Sequence, residues 1–176
     1  MADDRSDRAR ALLVDTATTL LRQNGVDRFD INELARRAHC SRATVYRHIG
    51  GKTAIIEAVL TVSSTHVTAQ VVELTAHLRG RERAAAAVQV ALREIRRDPV
   101  TQQLLASRRL HSAVPAALTS PAVTGMAITL LGLEAEDVAG AHWVIRAFLA
   151  LAVWPMPAEH EAAAVRALVA GLEGLT

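Results

Sequence analysis

Between Ser41 and His48 the chain places Arg42, Thr44, Tyr46, Arg47 and His48, five hydrogen-bond donors within eight residues and no acid. Side chains of these kinds suit nucleic acid. A guanidinium meets O6 and N7 of a guanine with two hydrogen bonds, while hydroxyl, imidazole and ammonium groups meet phosphate oxygens. Arg42 lies in the first turn of this segment, the part that a recognition helix points into a major groove. Lys52 follows four residues after His48, where a helix starting there would set a positive charge beside a phosphate. The seven histidines are scattered, and neither a His-Glu-x-x-His motif nor a paired-carboxylate arrangement occurs. His66 and His77 share a helix face but have no third ligand nearby, so no metal and no cofactor is expected. Gly50-Gly51-Lys52-Thr53 lacks the upstream glycine and the strand of a phosphate loop. The chemistry on offer is recognition, and an enzyme is the remote alternative.

Recognition needs these groups held at fixed spacing, and the flanking residues supply short helices. Asp30 reads as an N-cap with Glu33 completing a capping box, and Ile31, Leu34, Ala35 and Ala38 form the buried stripe of a second helix. His39-Cys40 makes the turn. Ser41 caps a third helix whose Val45 and Ile49 face inward, and Gly50-Gly51 ends it before a long fourth helix, from Lys52 to about Leu78. Upstream, Ala9, Leu12, Leu13, Ala17, Leu20 and Leu21 give a first helix from about Arg5 to Gln23, stopped by Asn24-Gly25. Arg5, Arg8 and Arg10 could reach an adjacent minor groove, but a disordered arm is the expected state.

A chain of 176 residues with 51% hydrophobic and only 3% aromatic residues, rich in Ala and Leu, predicts an all-α fold. Further helices are expected over Glu82–Arg97, Val100–Leu110, Ala122–Leu131, Glu134–Trp154 and Ala158–Leu172, about nine in total. From His111 to Thr124, with Pro115 and Pro121, the pattern assigns only the start of the seventh. Residues 1–55 hold ten Lys/Arg against seven Asp/Glu, while the remainder holds ten against eleven. The positive charge thus belongs to the first third, as a polyanion-binding domain requires. The single cysteine, Cys40, precludes an intramolecular disulfide, and the charged first residues do not read as a leader. No membrane partner is expected, and a cytoplasmic location is.

A helix-turn-helix followed by Gly-Gly-Lys and a long helix closely resembles the tetracycline-repressor family of bacterial transcriptional regulators. The matching stretch runs Ile31-Asn32-Glu33-Leu34-Ala35-Arg36-Arg37-Ala38, then Ser41-Arg42-Ala43-Thr44-Val45-Tyr46-Arg47-His48, then Lys52, within about residues 9 to 60. The Thr-aliphatic-Tyr-x-His spacing with Lys four residues on is its specific part. By this resemblance Arg42 and Ala43 fall at base-contacting positions, and Thr44, Tyr46, His48 and Lys52 at phosphate-contacting ones. Asn32 matches a helix 2 position within reach of DNA, and Ser41 and Arg47 complete the DNA-binding set. His39 departs from the usual glycine of the turn, and Cys40 from the usual aliphatic.

The resemblance further implies a domain of residues 1–51 for DNA and a domain of 52–176 for dimerisation and effector binding. Expected partners are a palindromic double-stranded operator, a second copy of the chain and a small hydrophobic effector. The alternative is a regulator whose C-terminal domain is a dimerisation module alone. The eighth helix is apolar around nearly its whole circumference, so one side should face its own domain and the other a partner. Phe148 and Leu151, with Val165, Leu168, Val169 and Leu172 of the last helix, are the expected seam. The expected effector lining is Val62, His66, Leu105, Met126, Leu130, Trp143 and Arg146. Arg146 inside an apolar helix calls for a carboxylate such as Glu94 or Asp98, or a ligand acid.

Overall fold

The computed structural model describes residues 2–107 and 121–172, and among them are nine helices and no strand. In chain order they are α1 (Ala2–Arg28), α2 (Ile31–Arg37), α3 (Arg42–His48), α4 (Lys52–Thr75), α5 (Gly80–Arg97), α6 (Pro99–Leu105), α7 (Pro121–Leu131), α8 (Val138–Val153) and α9 (Ala158–Ala170). The all-α expectation holds. Residues 108–120, which include the expected end of the sixth helix and most of the Pro115 stretch, lie outside the described residues.

The chain forms two compact units. The first holds residues 1–65 and 99–107; the second holds 66–98 and, among the described residues, 121–172. The expected boundary before Lys52 differs from this division for a packing reason: Ile55, Ile56 and Val59 of α4 are buried in the core of the first unit. By length and apolar composition α4 is also a candidate membrane span, yet its opening turns are committed to that core.

In the first unit, α1 supplies Leu13, Val14, Ala17, Leu20 and Leu21 to a core completed by Val26, Phe29, Leu34, Val45 and Val100. The Asn24-Gly25 break takes the form of a kink, with Gly25 at φ 81° and helix resuming to Arg28. A side chain at Gly25 would collide with Gln103 of α6, whose Nε2 donates to the Arg22 carbonyl at 3.3 Å. The basic N-terminal segment is not an arm: Arg5, Arg8 and Arg10 lie within α1.

In the second unit α9 packs on α5 and α8, and α7 packs on α5 and α8. The residues assigned to a dimer seam turn inward here. Leu151, Val165, Leu168, Val169 and Leu172 are all buried within the single chain. Arg96 of α5 locks this arrangement, reaching both Glu161 carboxylate oxygens (3.0 and 2.5 Å) and the Leu151 carbonyl (2.8 Å). The outward side of α8 carries Trp143, 55% exposed, and just beyond the helix Trp154 is 71% exposed. Arg146 lies on that outward side, donating to the His142 carbonyl at 3.2 Å, so it needs no buried carboxylate. Glu94, one of its expected partners, pairs with Arg93 and Arg97.

Leu168→Glu should therefore destabilise the second unit by several kcal/mol, because a charge would be buried without a partner. Thermal unfolding followed by circular dichroism should show a lowered midpoint independent of protein concentration. A normal midpoint with a concentration-dependent loss of dimer would return Leu168 to a subunit seam.

Candidate nucleic-acid interface

A helix as short as α3 has little stability of its own and must be held by its neighbours. Val45, fully buried, fixes one side of α3 in the core, with Ile49 packed beside it. The opposite side carries Arg42, Ala43, Tyr46 and Arg47, all exposed. Positions 42, 43, 46 and 47 share one face at helical spacing. The sequence-assigned base-contacting pair, Arg42 and Ala43, is thus presented with two further polar groups alongside. The Arg42 guanidinium lies 6.0 Å from the centroid of the Tyr46 ring, at the outer limit of a cation–π contact. Among the described residues neither Arg42 nor Arg47 pairs with a carboxylate.

Both ends of α3 are held. Ser41 Oγ accepts from the Thr44 amide at 3.1 Å and lies 3.0 Å from Thr44 Oγ1, so Ser41 is the N-cap and Thr44 turns toward it. At the other end Arg10 Nη1 donates to the His48 carbonyl at 2.8 Å. A cation there satisfies an orphan carbonyl and complements the helix dipole. Ser6 Oγ lies 3.4 Å from His48 Nδ1, which leaves His48 half-buried. Sequence reasoning missed Ser6 and Arg10, since both act across a long loop of chain. Their one signal is that they sit one turn apart on α1.

The turn before α3 is formed at His39, whose φ of 51° places it in the left-handed region. A glycine would take this conformation without the cost that a β-carbon brings. The turn closes with the Cys40 amide donating to the Ala35 carbonyl at 2.9 Å. Cys40 packs half-buried against the core, as a small aliphatic would.

On α2, Asp30 is the N-cap, accepting from the Asn32 amide at 2.9 Å and from Asn32 Nδ2 at 3.1 Å. Asn32 is exposed with its amide folded back over the cap. Glu33 does not act as a capping-box partner. It takes Arg36 through Nε (2.9 Å) and Nη2 (2.6 Å), and Arg37 through Nε (2.8 Å). Hydrogen bonds from Arg36 and then Arg37 hold its carboxyl down at about 2, against an ordinary 4.5. Arg37 is tied further to Gln23 at 2.8 Å. These two arginines share one carboxylate, whereas Arg42 and Arg47 pair with none among the described residues.

Lys52, half-buried, donates from Nζ to the carbonyls of Asp27 (3.0 Å) and Phe29 (2.9 Å). It ties the α1–α2 junction to the start of α4, a role that the resemblance to phosphate-contacting positions does not disclose.

Within the second unit, α5, α7 and α8 enclose a cleft of about 160 Å³. Among the described residues twelve line it, all apolar, including Val88, Met126, Leu130, Ile145 and Phe148. Of the residues assigned to an effector, Met126 and Leu130 line it; Phe148, assigned to the seam, does so too. Trp143, Arg146 and His66 are exposed and lie outside its lining. Val62, 58% exposed, and Leu105 belong to the first unit. Sequence periodicity put Trp143 and Arg146 on the wrong side of α8, because an all-round apolar helix has no phase to read.

α2, the turn at His39 and α3 have the geometry of a helix-turn-helix. Residues 13–59 match the family model of bacterial regulatory proteins of the tetR family. That match spans the later part of α1, all of α2 and α3, and the first turns of α4. Over 157 residues it is 24% identical to HTH-type transcriptional regulators from two strains of Mycobacterium tuberculosis, covering 86% of this chain and 78% of theirs. Two solved structures share the fold. One, described as a tetR family transcription regulator from a Shewanella species, superposes with TM-score 0.55 at 17% identity over 92% of this chain and 95% of its own. The other, from Mesorhizobium loti, gives TM-score 0.52 at 14% identity over 94% and 95%.

Two outcomes follow from this geometry. Lys52→Ala should lower stability by about 1.5 to 3 kcal/mol, since charge-assisted hydrogen bonds to two carbonyls are lost. Denaturant unfolding should show this; unchanged stability with a smaller salt slope in DNA binding would make Lys52 a phosphate contact only. The Glu33 carboxyl is depressed on folding, so its contribution is complete above the unfolded value near 4.5 and is lost as pH falls through about 2. An NMR titration should place its midpoint near 2, and Arg36→Ala should raise it. A midpoint near 4.5 in the wild type would show that the clamp does not form in solution.

Proposed function

We propose that the chain acts as a homodimer in the cytoplasm. Each copy would set α3 into the major groove of one half of a palindromic operator, and a small apolar effector would release the repressor from it. The reading is carried by the acid-free face of α3, where Arg42, Ala43, Tyr46 and Arg47 stand exposed opposite the buried Val45. Arg42 would read a guanine through paired donors, and Arg47, Tyr46 and Thr44 would fix register on phosphates. Ser41 and Asn32 border that face and would contact the backbone of the operator, with His48 behind them.

Since Leu151, Val165, Leu168, Val169 and Leu172 are used within the chain, the seam assigned to the partner moves to the other side of the last two helices. That side offers the exposed Trp143, Ala150 and Trp154 together with Ala163, Ala167 and Ala170. Small residues on one helix beside tryptophans on the other allow close approach across a two-fold axis. The apolar cleft favours an effector-responsive regulator over one whose C-terminal domain serves assembly alone.

One set of measurements tests this. DNA selected from a random pool should contain a palindrome with half-sites one helical turn apart, bound with steep salt dependence. Arg42→Ala should relax base preference at one position in each half-site, at a cost of about 1 to 3 kcal/mol there. Ala167→Glu should give folded monomers by sedimentation and weaken operator binding, since the two recognition helices lose their tether. Equal weakening of Arg42→Ala on selected and random DNA, or a dimeric Ala167→Glu, would remove the corresponding assignment.

A further inference from the structure

The cleft between α5, α7 and α8 has a composition that restricts what can occupy it. We infer that it takes a compact, neutral, wholly apolar molecule of about one-ring size, an alkylbenzene in character, and rejects acids and cations. The inference rests on the effector reading above and names its ligand class.

Among the described residues, the twelve that line the cleft are hydrocarbon or thioether, contributed by three helices. A ligand carboxylate or ammonium would therefore lose its hydration and meet no partner, a penalty that excludes it. Among the described residues, three candidate cations are engaged or turned away. Arg146 is exposed and bonded to the His142 carbonyl, His66 is exposed, and Arg96 is bound to Glu161 and the Leu151 carbonyl.

Size sets the second restriction. The cleft measures about 160 Å³, and an apolar cavity of about 150 Å³ stays dry and admits benzene. A single ring matches that volume. Shape and polarisability set the third, because Phe148 and Met126 both reach the cleft. An aromatic ring gains from offset contact with a phenyl group and from a thioether sulfur near its edge. Met126 is also anchored: its Sδ accepts from Thr68 Oγ1 of α4 at 3.0 Å. The most adaptable wall of the cleft is thereby bonded to the helix that continues into the DNA-binding unit, so a ring pressing on Met126 bears on that bond.

The test uses the full chain with toluene, benzoate and benzylamine, matched in ring and differing in charge. Calorimetry should show saturable binding of one toluene per chain, with benzoate and benzylamine at least about tenfold weaker. Ala127→Leu, which fills the cleft from α7, should abolish toluene binding while circular dichroism stays unchanged. Benzoate binding as well as toluene, or no saturable toluene binding by the folded wild type, overturns the inference. Toluene binding that leaves operator affinity unaltered upholds the ligand class and refutes the effector role. Operator release by benzoate without toluene binding keeps an effector and overturns this cleft as its site.

Discussion

A recognition helix of seven residues lies below the length at which a helix is stable in water, so α3 exists because it is held from outside. One buried side chain, Val45, anchors its inner side, Ser41 closes its first turn and Arg10 closes its last. With the inner side and both ends occupied, the outer side is left exposed. Every residue proposed to read a base thus depends on contacts made by residues that never approach one. The same dependence explains why the first turns of α4 belong to the first unit: Ile55, Ile56 and Val59 complete the core against which α3 rests.

The basic residues of this unit divide by their surroundings, although composition treats them alike. Arg36 and Arg37 are closed into a clamp on Glu33, Lys52 is drawn to two backbone carbonyls, and Arg10 caps a helix. Each of these cations stiffens the frame. Arg42 and Arg47 stay exposed and unpaired with carboxylates among the described residues, and they stand on the face that a groove would meet. Sequence-specific contact favours an exposed guanidinium on a fixed helix, since less has to be ordered on binding.

In the second unit the deciding contact is that of α9 with α5. It turns Val165, Leu168 and Val169 inward and leaves Ala163, Ala167 and Ala170 outside. Arg96, joined to Glu161 and to the end of α8, sets the rotation of both last helices. That rotation also brings Phe148 to the cleft and carries Trp143 away from it. The exposed side of α8 and the cleft are therefore linked, because one phase of α8 fixes both.

Local chemistry was legible along the chain wherever a few neighbouring residues decide the structure. Asp30 and Ser41 as N-caps, the left-handed turn at His39, the Gly50-Gly51 stop and the inward Leu34 and Val45 all follow from short-range sterics and hydrogen bonding. The all-helical class and the acid-free, exposed character of α3 follow from periodicity and from the missing acids. The long-range choices were not legible. Whether Glu33 bonds its own helix start or two arginines, whether Lys52 meets a phosphate or a carbonyl, and whether Arg10 is free depend on groups brought near only by folding. The rotation of α8 and α9 depends on tertiary structure most of all, because an apolar helix flanked by alanines can bury either side at similar free energy. Packing against α5, closed by the ion pair of Arg96 with Glu161, selects one of them.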